Sequence, residues 1–110
     1  MSKAHFVHWR YIAIELDGPK VSRRELNKAV MALGRARDLP EARWPSLTRY
    51  DFPHAIVRVQ HMDAWACRDW LAAGLKVKDG NGTTRLAVQT LSASGTIKAL
   101  TERLGILLKR

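Results

Sequence analysis

The succession of two hydrophobic periodicities along the chain constrains its fold more than any other feature. Apolar residues recur at every second position over residues 8–16, 55–60 and 84–91, as in half-buried strands. They recur at every third or fourth position over residues 22–36 and again from residue 95 onward, as in amphipathic helices. No linker, repeat or low-complexity tract separates these segments. We therefore expect the 110 residues to form one domain.

Two further segments complete the predicted order of elements. Residues 47–51 form another short β run, and residues 62–73 are helical by composition and end at Gly74. The Asp-Gly-Asn-Gly sequence at 79–82 predicts a turn before the last strand. The order is then β, α, β, β, α, β with an added C-terminal helix. It predicts an α+β fold, a ferredoxin-like or RRM-like sandwich whose four-stranded antiparallel sheet carries the helices on one face.

The first predicted helix has a clear start signal and a basic outer surface. Ser22 and Glu25 have the spacing of a capping box. An apolar stripe follows at helical spacing, whereas Arg23, Arg24 and Lys28 belong to the remaining surface of the helix. We count these three cations as candidate contacts to an anionic partner.

The charge of the chain narrows the class of partner. Nineteen Lys and Arg against ten Asp and Glu leave a formal charge of +9, which indicates a polyanion such as nucleic acid. A membrane surface is the alternative, but no apolar run approaches the ~20 residues of a spanning helix. The first residues lack the apolar centre of a signal peptide. We expect a cytoplasmic protein without a membrane partner, in which residues 1–7 are flexible.

The residues that carry out catalysis in other proteins are not grouped here. The carboxylates are scattered, and the four histidines lack the HxH or HExxH spacing of metal ligands. The GxGxxG, GxxxxGK(S/T) and GxSxG motifs are missing. Cys67 stands beside Trp65, Ala66 and Trp70, so we expect a small buried side chain rather than a nucleophile. The sequence predicts no catalytic residue, no metal site and no cofactor bound by this chain.

A basic sheet is the first candidate binding surface. Guanidinium groups pair with phosphates, and aromatic rings stack on unpaired bases. Trp9 and Tyr11 lie in the first predicted strand, beside one of four arginines that fall on four different strands: Arg10, Arg49, Arg58 and Arg85. The alternative is that the two aromatic rings pack under the C-terminal helix or against a partner protein, because the sequence does not fix the strand register.

The start of the last helix is the second candidate surface. A helix that begins near Gly95 leaves backbone N–H groups without acceptors, and its dipole adds partial positive charge. Ser92 or Ser94 is expected to cap one donor, while Gly95 permits close approach. The hydroxyl of Thr96 and the charge of Lys98 would complete a seat for one phosphate. Capping without a ligand is the alternative.

Large aromatic side chains indicate a protein partner as well. Amphipathic aromatic residues are favoured at protein interfaces. Four of them are more than so small a core needs: Trp44, Phe52, Trp65 and Trp70. Core packing is the alternative for at least one of the tryptophans.

Three segments of the chain together resemble a known family. They are RYIAIE at 10–15, AIVRV at 55–59 after Tyr50 and Asp51, and SGTIK at 94–98. In order and spacing they are similar to protein component 2 of archaeal ribonuclease P, the small RRM-like subunit shared with the eukaryotic enzyme. The likeness spans roughly residues 9 to 104, and the last segment is its most specific part.

The resemblance implies a function and a set of partners. It implies a protein subunit that binds and stabilises the ribonuclease P RNA, which with Mg²⁺ cleaves the 5′ leader from precursor tRNA. It implies pairing with component 3, a TIM-barrel subunit, contact with other ribonuclease P proteins, and self-association of two such pairs into a heterotetramer. The residues leave two alternatives open, namely a ferredoxin-like regulatory or assembly domain and a ribosomal-type or chromatin-type nucleic-acid binder.

Overall fold

The computed structural model describes residues 8–80 and 82–105. Within them the chain forms five strands, three α-helices and two short 3₁₀ turns. The strands are β1 (Trp9–Asp17), β2 (Ser46–Asp51), β3 (His54–Gln60), β4 (Leu75–Asp79) and β5 (Gly82–Ser94). The helices are α1 (Arg23–Arg35), α2 (Ala64–Ala72) and α3 (Ile97–Leu104), and the 3₁₀ turns are Glu41–Arg43 and His61–Asp63.

The strands form one antiparallel sheet in the order β2-β3-β1-β5-β4. Four of them reproduce the predicted ferredoxin-like arrangement, but the prediction of a four-stranded sheet is wrong by one strand. Leu75 and Val77 are buried while Lys76 and Lys78 are exposed, so the segment that the four-strand prediction leaves out is a short strand. It pairs with β5 from Leu75 opposite Leu86 to Asp79 opposite Gly82, and it lies at the edge of the sheet.

Most of the apolar core lies between the sheet and the two helices α1 and α2. Ile12 and Ile14 of β1 are completely buried there. Leu26 and Val30 of α1 contact them from the predicted apolar stripe, and α2 adds Leu71. We call this cluster the main core. Its burial is the principal favourable term in the stability of the fold.

A second, smaller cluster lies on the opposite face of the sheet, under α3. Ala13, Ile56 and Leu100 are its buried members. The prediction that all helices lie on one face is therefore wrong for α3. A bulge in β5 contributes, because Ala13 pairs with Ser92 and Ile14 with Thr90, which leaves Leu91 as the extra residue that packs against this cluster. We call it the α3 cluster, and the sheet face that carries it the α3 face.

The helix ends follow the predicted chemistry in one case and not in the other. Ser22 caps α1, since its Oγ accepts a hydrogen bond from the Glu25 N–H at 3.2 Å. The expectation that Ser92 or Ser94 caps α3 is wrong, because both residues still belong to β5. Thr96 is the cap, and its Oγ1 accepts from the Ala99 N–H at 3.1 Å.

Several predicted boundaries shift. The segment 62–73 is only partly α-helical, since His61–Asp63 forms a 3₁₀ turn ahead of α2. β5 extends beyond the predicted 84–91 at both ends. The predicted flexibility of residues 1–7 and the predicted apolar positions Leu107 and Leu108 fall outside the described residues.

Gly34 provides a test of the packing between α1 and the connection that follows it. A Cβ built on Gly34 would lie 2.7 Å from Cδ1 and 3.0 Å from Cα of Trp44. Alanine in place of glycine normally stabilises a helix by about 1 kcal/mol. Here the overlap reverses the sign, and we expect Gly34→Ala to lower the free energy of unfolding by about 1–3 kcal/mol, measured by chemical denaturation.

Gly80→Ala is the matched control for this measurement. Apart from its two chain neighbours, no described residue has a heavy atom within 4 Å of a Cβ built on Gly80, and its φ is not in the left-handed region. Its free energy of unfolding should stay within about 1 kcal/mol of the parent value. A Gly34→Ala variant as stable as this control would contradict the close approach of Trp44.

Candidate nucleic-acid interface

The register of the central strand decides which candidate side chains share a face. Tyr11 of β1 lies opposite Arg58 of β3, and Ala13 lies opposite Ile56. Because Ala13 and Ile56 belong to the α3 cluster, Tyr11 and Arg58 lie on the α3 face as well. Arg10 alternates to the other face of β1. Tyr11 packs against the α3 cluster, so the alternative prediction, that this side chain packs under the C-terminal helix, is confirmed for Tyr11.

A cleft of about 530 Å³ opens where β1 begins. The backbone N–H of His61 donates to the carbonyl of His8 at 2.7 Å and holds the β3–α2 connection beside the start of β1. The connection between β5 and α3 adds the third wall. We call this cleft the β1 cleft. The described residues that line it are His8, Trp9, Arg10, Tyr11, His61 and Gly95.

Arg58 is stacked on one wall of this cleft. Its Cζ lies 4.2 Å from the centroid of the Trp9 ring, which is the geometry of a cation–π contact. Its Nε is buried and has no hydrogen-bond acceptor among the described residues. Neither of its Nη atoms is a buried atom that lacks an acceptor. Stacking therefore holds the guanidinium in place while its outer donors stay available.

Arg10 links the two surfaces that the sequence predicts separately. A Cβ built on Gly95 would lie 3.5 Å from Nη1 of Arg10, so the guanidinium reaches the chain just before α3. Within the described ranges, Arg10 forms no hydrogen bond or ion pair. The basic sheet and the start of α3 thus meet at one place.

The other predicted phosphate ligands near α3 differ in their availability. The hydroxyl of Thr96 is engaged as the helix cap, and Oγ of Ser94 accepts from the Thr96 N–H at 3.5 Å. Lys98 is exposed, and its ammonium group has no partner in the part of the chain that the structure describes, although its carbonyl accepts from the Thr101 hydroxyl at 3.0 Å. Of the predicted set, Lys98 and the backbone at Gly95 are the groups left free for a ligand.

Two predicted arginines lie on the α3 face but outside the cleft. Arg49 is paired with Ile56, and its Nη1 donates to the carbonyl of Thr48 at 3.1 Å. Arg85 lies nine positions before Ser94 on β5, roughly 30 Å away at about 3.3 Å per residue.

Arg85 instead belongs to a second group of cations that the sequence analysis missed. It lies opposite Lys76, and Lys78 follows on the same side of β4. We call these three residues the β4–β5 edge. The alternation of Leu75 and Val77 with the two lysines is the signal that could have revealed it.

The three predicted cations of α1 do not belong to either group. Arg23, Arg24 and Lys28 are exposed on the helix that covers the opposite face of the sheet. Nη2 of Arg23 donates to the carbonyl of Thr48 at 3.2 Å, which ties α1 to the edge strand β2. The predicted RNA-binding residues therefore occupy both sides of the sheet rather than one surface.

Three of the four predicted interface aromatics are partly buried against their own chain. Nε1 of Trp44 donates to the carbonyl of Leu39 at 2.7 Å. Phe52 packs edge-on against Tyr50, with ring centroids 6.5 Å apart, and Trp70 is partly buried against the main core.

Trp65 differs from the other three. It is 81% exposed, and Met62 on the preceding turn is 70% exposed. They are the exposed large apolar side chains among the described residues.

One acidic side chain, that of Asp63, forms an ion pair within the fold. Arg43 pairs with the buried carboxylate of Asp63 through two hydrogen bonds of 2.7 and 3.1 Å, which joins the two 3₁₀ turns. Among residues 8–80 and 82–105, no group of three His, Cys, Asp or Glu side chains could hold a metal ion. No helix in these ranges is long and apolar enough to cross a membrane.

The fold has a known counterpart. A chain in the cryo-EM structure of yeast ribonuclease MRP superposes with a TM-score of 0.57. The two chains are 17% identical, and the match covers 94% of this chain and 95% of that one. The likeness at this identity concerns the fold, which the two chains share nearly from end to end. No family model and no curated protein sequence matches the chain.

Cys67 offers a chemical test of the core beneath α2. Burial, followed by the nearby charge of Asp63, raises the pKa of the Cys67 thiol to about 12. An unfolded thiol ionises near pH 9, so between pH 9 and 12 the unfolded chain loses a proton that the folded chain keeps. We expect the free energy of unfolding to fall as the pH rises through this window.

Thiol labelling provides the measurement. At pH 8 the native protein should react with iodoacetamide far more slowly than the same protein in denaturant, because the thiolate is the nucleophile. Equal labelling rates in the two states would contradict the buried position of Cys67.

Proposed function

We propose that this chain is a non-catalytic protein subunit of a ribonuclease P/MRP-type ribonucleoprotein and that it binds and stabilises the RNA. The observation that carries the proposal is the likeness of fold to a chain of ribonuclease MRP over nearly the full length of both. A fold alone hosts many functions, so the residues of the site must support the same assignment. The charge of +9 and the composition of the β1 cleft do so.

Within this class, we assign the chain to the component 2 type of ribonuclease P. The assignment rests on the three sequence segments at 10–15, 55–59 and 94–98. The segment at 10–15 supplies Arg10 and Tyr11 of the β1 cleft, and the segment at 94–98 supplies Gly95. The segment at 55–59 supplies Arg58, which stacks on Trp9. The segments that carry the resemblance thus meet in the fold.

The chemistry of the complex would belong to the RNA. Metal ions bound by the RNA, Mg²⁺ in this proposal, stabilise the attacking and leaving oxygens during cleavage of the 5′ leader of precursor tRNA. The protein supplies cations that screen the phosphates of the RNA, so that its active fold persists at lower Mg²⁺. The β1 cleft and the β4–β5 edge lie roughly 30 Å apart, which allows contact with two separated stretches of backbone.

Protein contact is proposed at the exposed pair of Met62 and Trp65. Trp is enriched among the residues that dominate binding at protein interfaces. The proposed partners are the TIM-barrel component 3 and other ribonuclease P proteins. Two copies of this chain and two copies of component 3 would assemble into a heterotetramer. The proposed compartment is the cytoplasm.

RNA binding is tested by titrating the protein against a structured RNA at about 50 mM and about 200 mM salt. Release of counterions predicts a steep loss of affinity at the higher salt. Arg58→Ala and Lys98→Ala should each weaken binding and lower the slope of log affinity against log salt by about one, with thermal melts showing that both variants stay folded. Lys20→Ala removes an exposed cation outside the proposed surfaces and should change neither quantity. Salt-independent binding would favour a regulatory or assembly domain instead.

The assignment to ribonuclease P is tested by reconstitution. Cleavage of precursor tRNA by the RNA subunit at limiting Mg²⁺ should be faster when this chain and its component 3 partner are added together than when the partner is added alone. Tight RNA binding without any effect on cleavage would instead place the chain among other ribonucleoproteins.

A further inference from the structure

We propose that the β1 cleft binds one unpaired RNA nucleotide, with its base stacked in the cleft and its phosphate on Arg10 or Arg58. This inference rests on the proposed function, since it takes RNA as the ligand. It adds which part of the chain contacts the RNA, and that the bound nucleotide must be unpaired.

The cleft has the size and the charge for such a ligand. Its volume of about 530 Å³ lies within the range of about 300–1,000 Å³ that is typical of small-ligand sites. Its lining combines two aromatic rings, a guanidinium and two imidazoles, and among the described residues no carboxylate contributes to it. An anion with a planar, apolar part is the complementary ligand.

Among the described residues, Trp9 belongs to neither the main core nor the α3 cluster, whereas Ile12 is a member of the first and Tyr11 packs against the second. The Arg58 guanidinium lies over one face of the Trp9 ring, 4.2 Å from its centroid, and does not line the cleft, so a base in the cleft would stack on the other face of Trp9. Unpaired bases stack on aromatic rings and on guanidinium planes of this kind. A base within a duplex is already stacked between its neighbours, so the surface selects unpaired nucleotides.

The two arginines supply the phosphate contacts. Neither Arg10 nor Arg58 has a hydrogen-bond acceptor in residues 8–80 and 82–105, and the buried Nε of Arg58 lacks one as well. A donor left without an acceptor is costly, and a charged acceptor from a ligand lowers that cost. Arg10 approaches the cleft from beside Gly95, on the opposite face of β1 from Trp9. Arg10 therefore lines the cleft itself, whereas Arg58 lies against the Trp9 ring.

Gly95 offers a way to fill the cleft without removing any contact. The Arg10 guanidinium is the sole described neighbour within 4 Å of a Cβ built there, and the φ of Gly95 is not in the left-handed region. Gly95→Ala therefore adds one methyl group to the wall of the cleft with little strain. Gly80→Ala adds the same group on open surface and is its matched control.

The experiment measures binding of the full chain to two fluorescein-labelled probes by anisotropy. One probe is a single-stranded hexanucleotide, rU₆, and the other is a blunt 16-base-pair RNA duplex. Trp9→Ala should weaken binding of rU₆ by roughly 5- to 100-fold, the effect of one lost base stack, and binding of the duplex by less than about twofold. Trp9→Phe should restore most of the loss, and the slope of log affinity against log salt should not change, since no charge is removed.

Two further variants separate the cleft from a general loss of structure. Gly95→Ala should weaken binding of rU₆ by at least about threefold and leave binding of the duplex unchanged. Gly80→Ala should bind both probes as the parent protein does. Arg10→Ala should lower the salt-dependence slope for rU₆ by about 0.7, as expected for one phosphate contact on a single strand. If Trp9→Ala does not fold, the Gly95→Ala and Arg10→Ala results decide the matter.

The outcomes distinguish this proposal from the proposed function. Equal effects of Trp9→Ala and Gly95→Ala on both probes, or none on either, would overturn the nucleotide site even if the chain stimulates cleavage of precursor tRNA. A preference for rU₆ that depends on Trp9 would support the site even if the chain leaves cleavage unchanged. Competition by free uridine monophosphate as strong as that by rU₆ would overturn the assignment to RNA, because the cleft would then be a mononucleotide site.

Discussion

The pairing of β1 with both β3 and β5 is the constraint on which the rest of the structure depends. Through it one strand serves both apolar clusters, with Ile12 and Ile14 in the main core and Ala13 under α3. The same hydrogen bonds fix where β1 begins, and therefore where Trp9 and Arg10 stand. Three of the six described residues that line the β1 cleft are therefore positioned by the central strand of the sheet, and the other three by the segments beside it.

Charge is distributed along the sheet in a way that composition alone does not reveal. The strongly basic balance of the chain is divided among the β1 cleft, the β4–β5 edge and the outer surface of α1. The far end of β1 is different, because Glu15 lies 3.9 Å from His54 and Asp17 is exposed nearby. This end offers a polyanion less attraction than the cleft does. If the α3 face binds RNA as proposed, this asymmetry of charge would favour one orientation of the RNA on it.

Much of the fold could be predicted from the sequence because periodicity reports burial directly. The alternation in β1, the stripe of α1 and the cap at Ser22 all reappear in the structure. The β4 strand was missed because its alternation of Leu75 and Val77 with two lysines covers only five residues, and the cap of α3 was misplaced because β5 continues through Ser94. The first error concerns whether a short element forms and the second where an element ends, and tertiary pairing decides both.

The candidate site was only partly predictable, for a related reason. Which side chains share a face depends on strand register, and register is a property of pairs of strands rather than of one segment. Arg10, Arg58 and Gly95 are far apart in sequence and meet only because β1 lies between β3 and β5. Composition could indicate a basic, aromatic surface, but it could not separate Arg85 from Arg58 or give Trp65 its exposure.

The edge strand β4 has a further consequence for how molecules of this protein meet one another. A strand at the rim of a sheet presents backbone groups to which a strand from another molecule can add. Lys76 and Lys78 project from the same side of β4. If two such rims approached in antiparallel register, ammonium groups would be brought face to face, and their repulsion opposes the growth of a continuous sheet from copy to copy. The two lysines that are proposed to attract a polyanion would thus also oppose self-association through this edge.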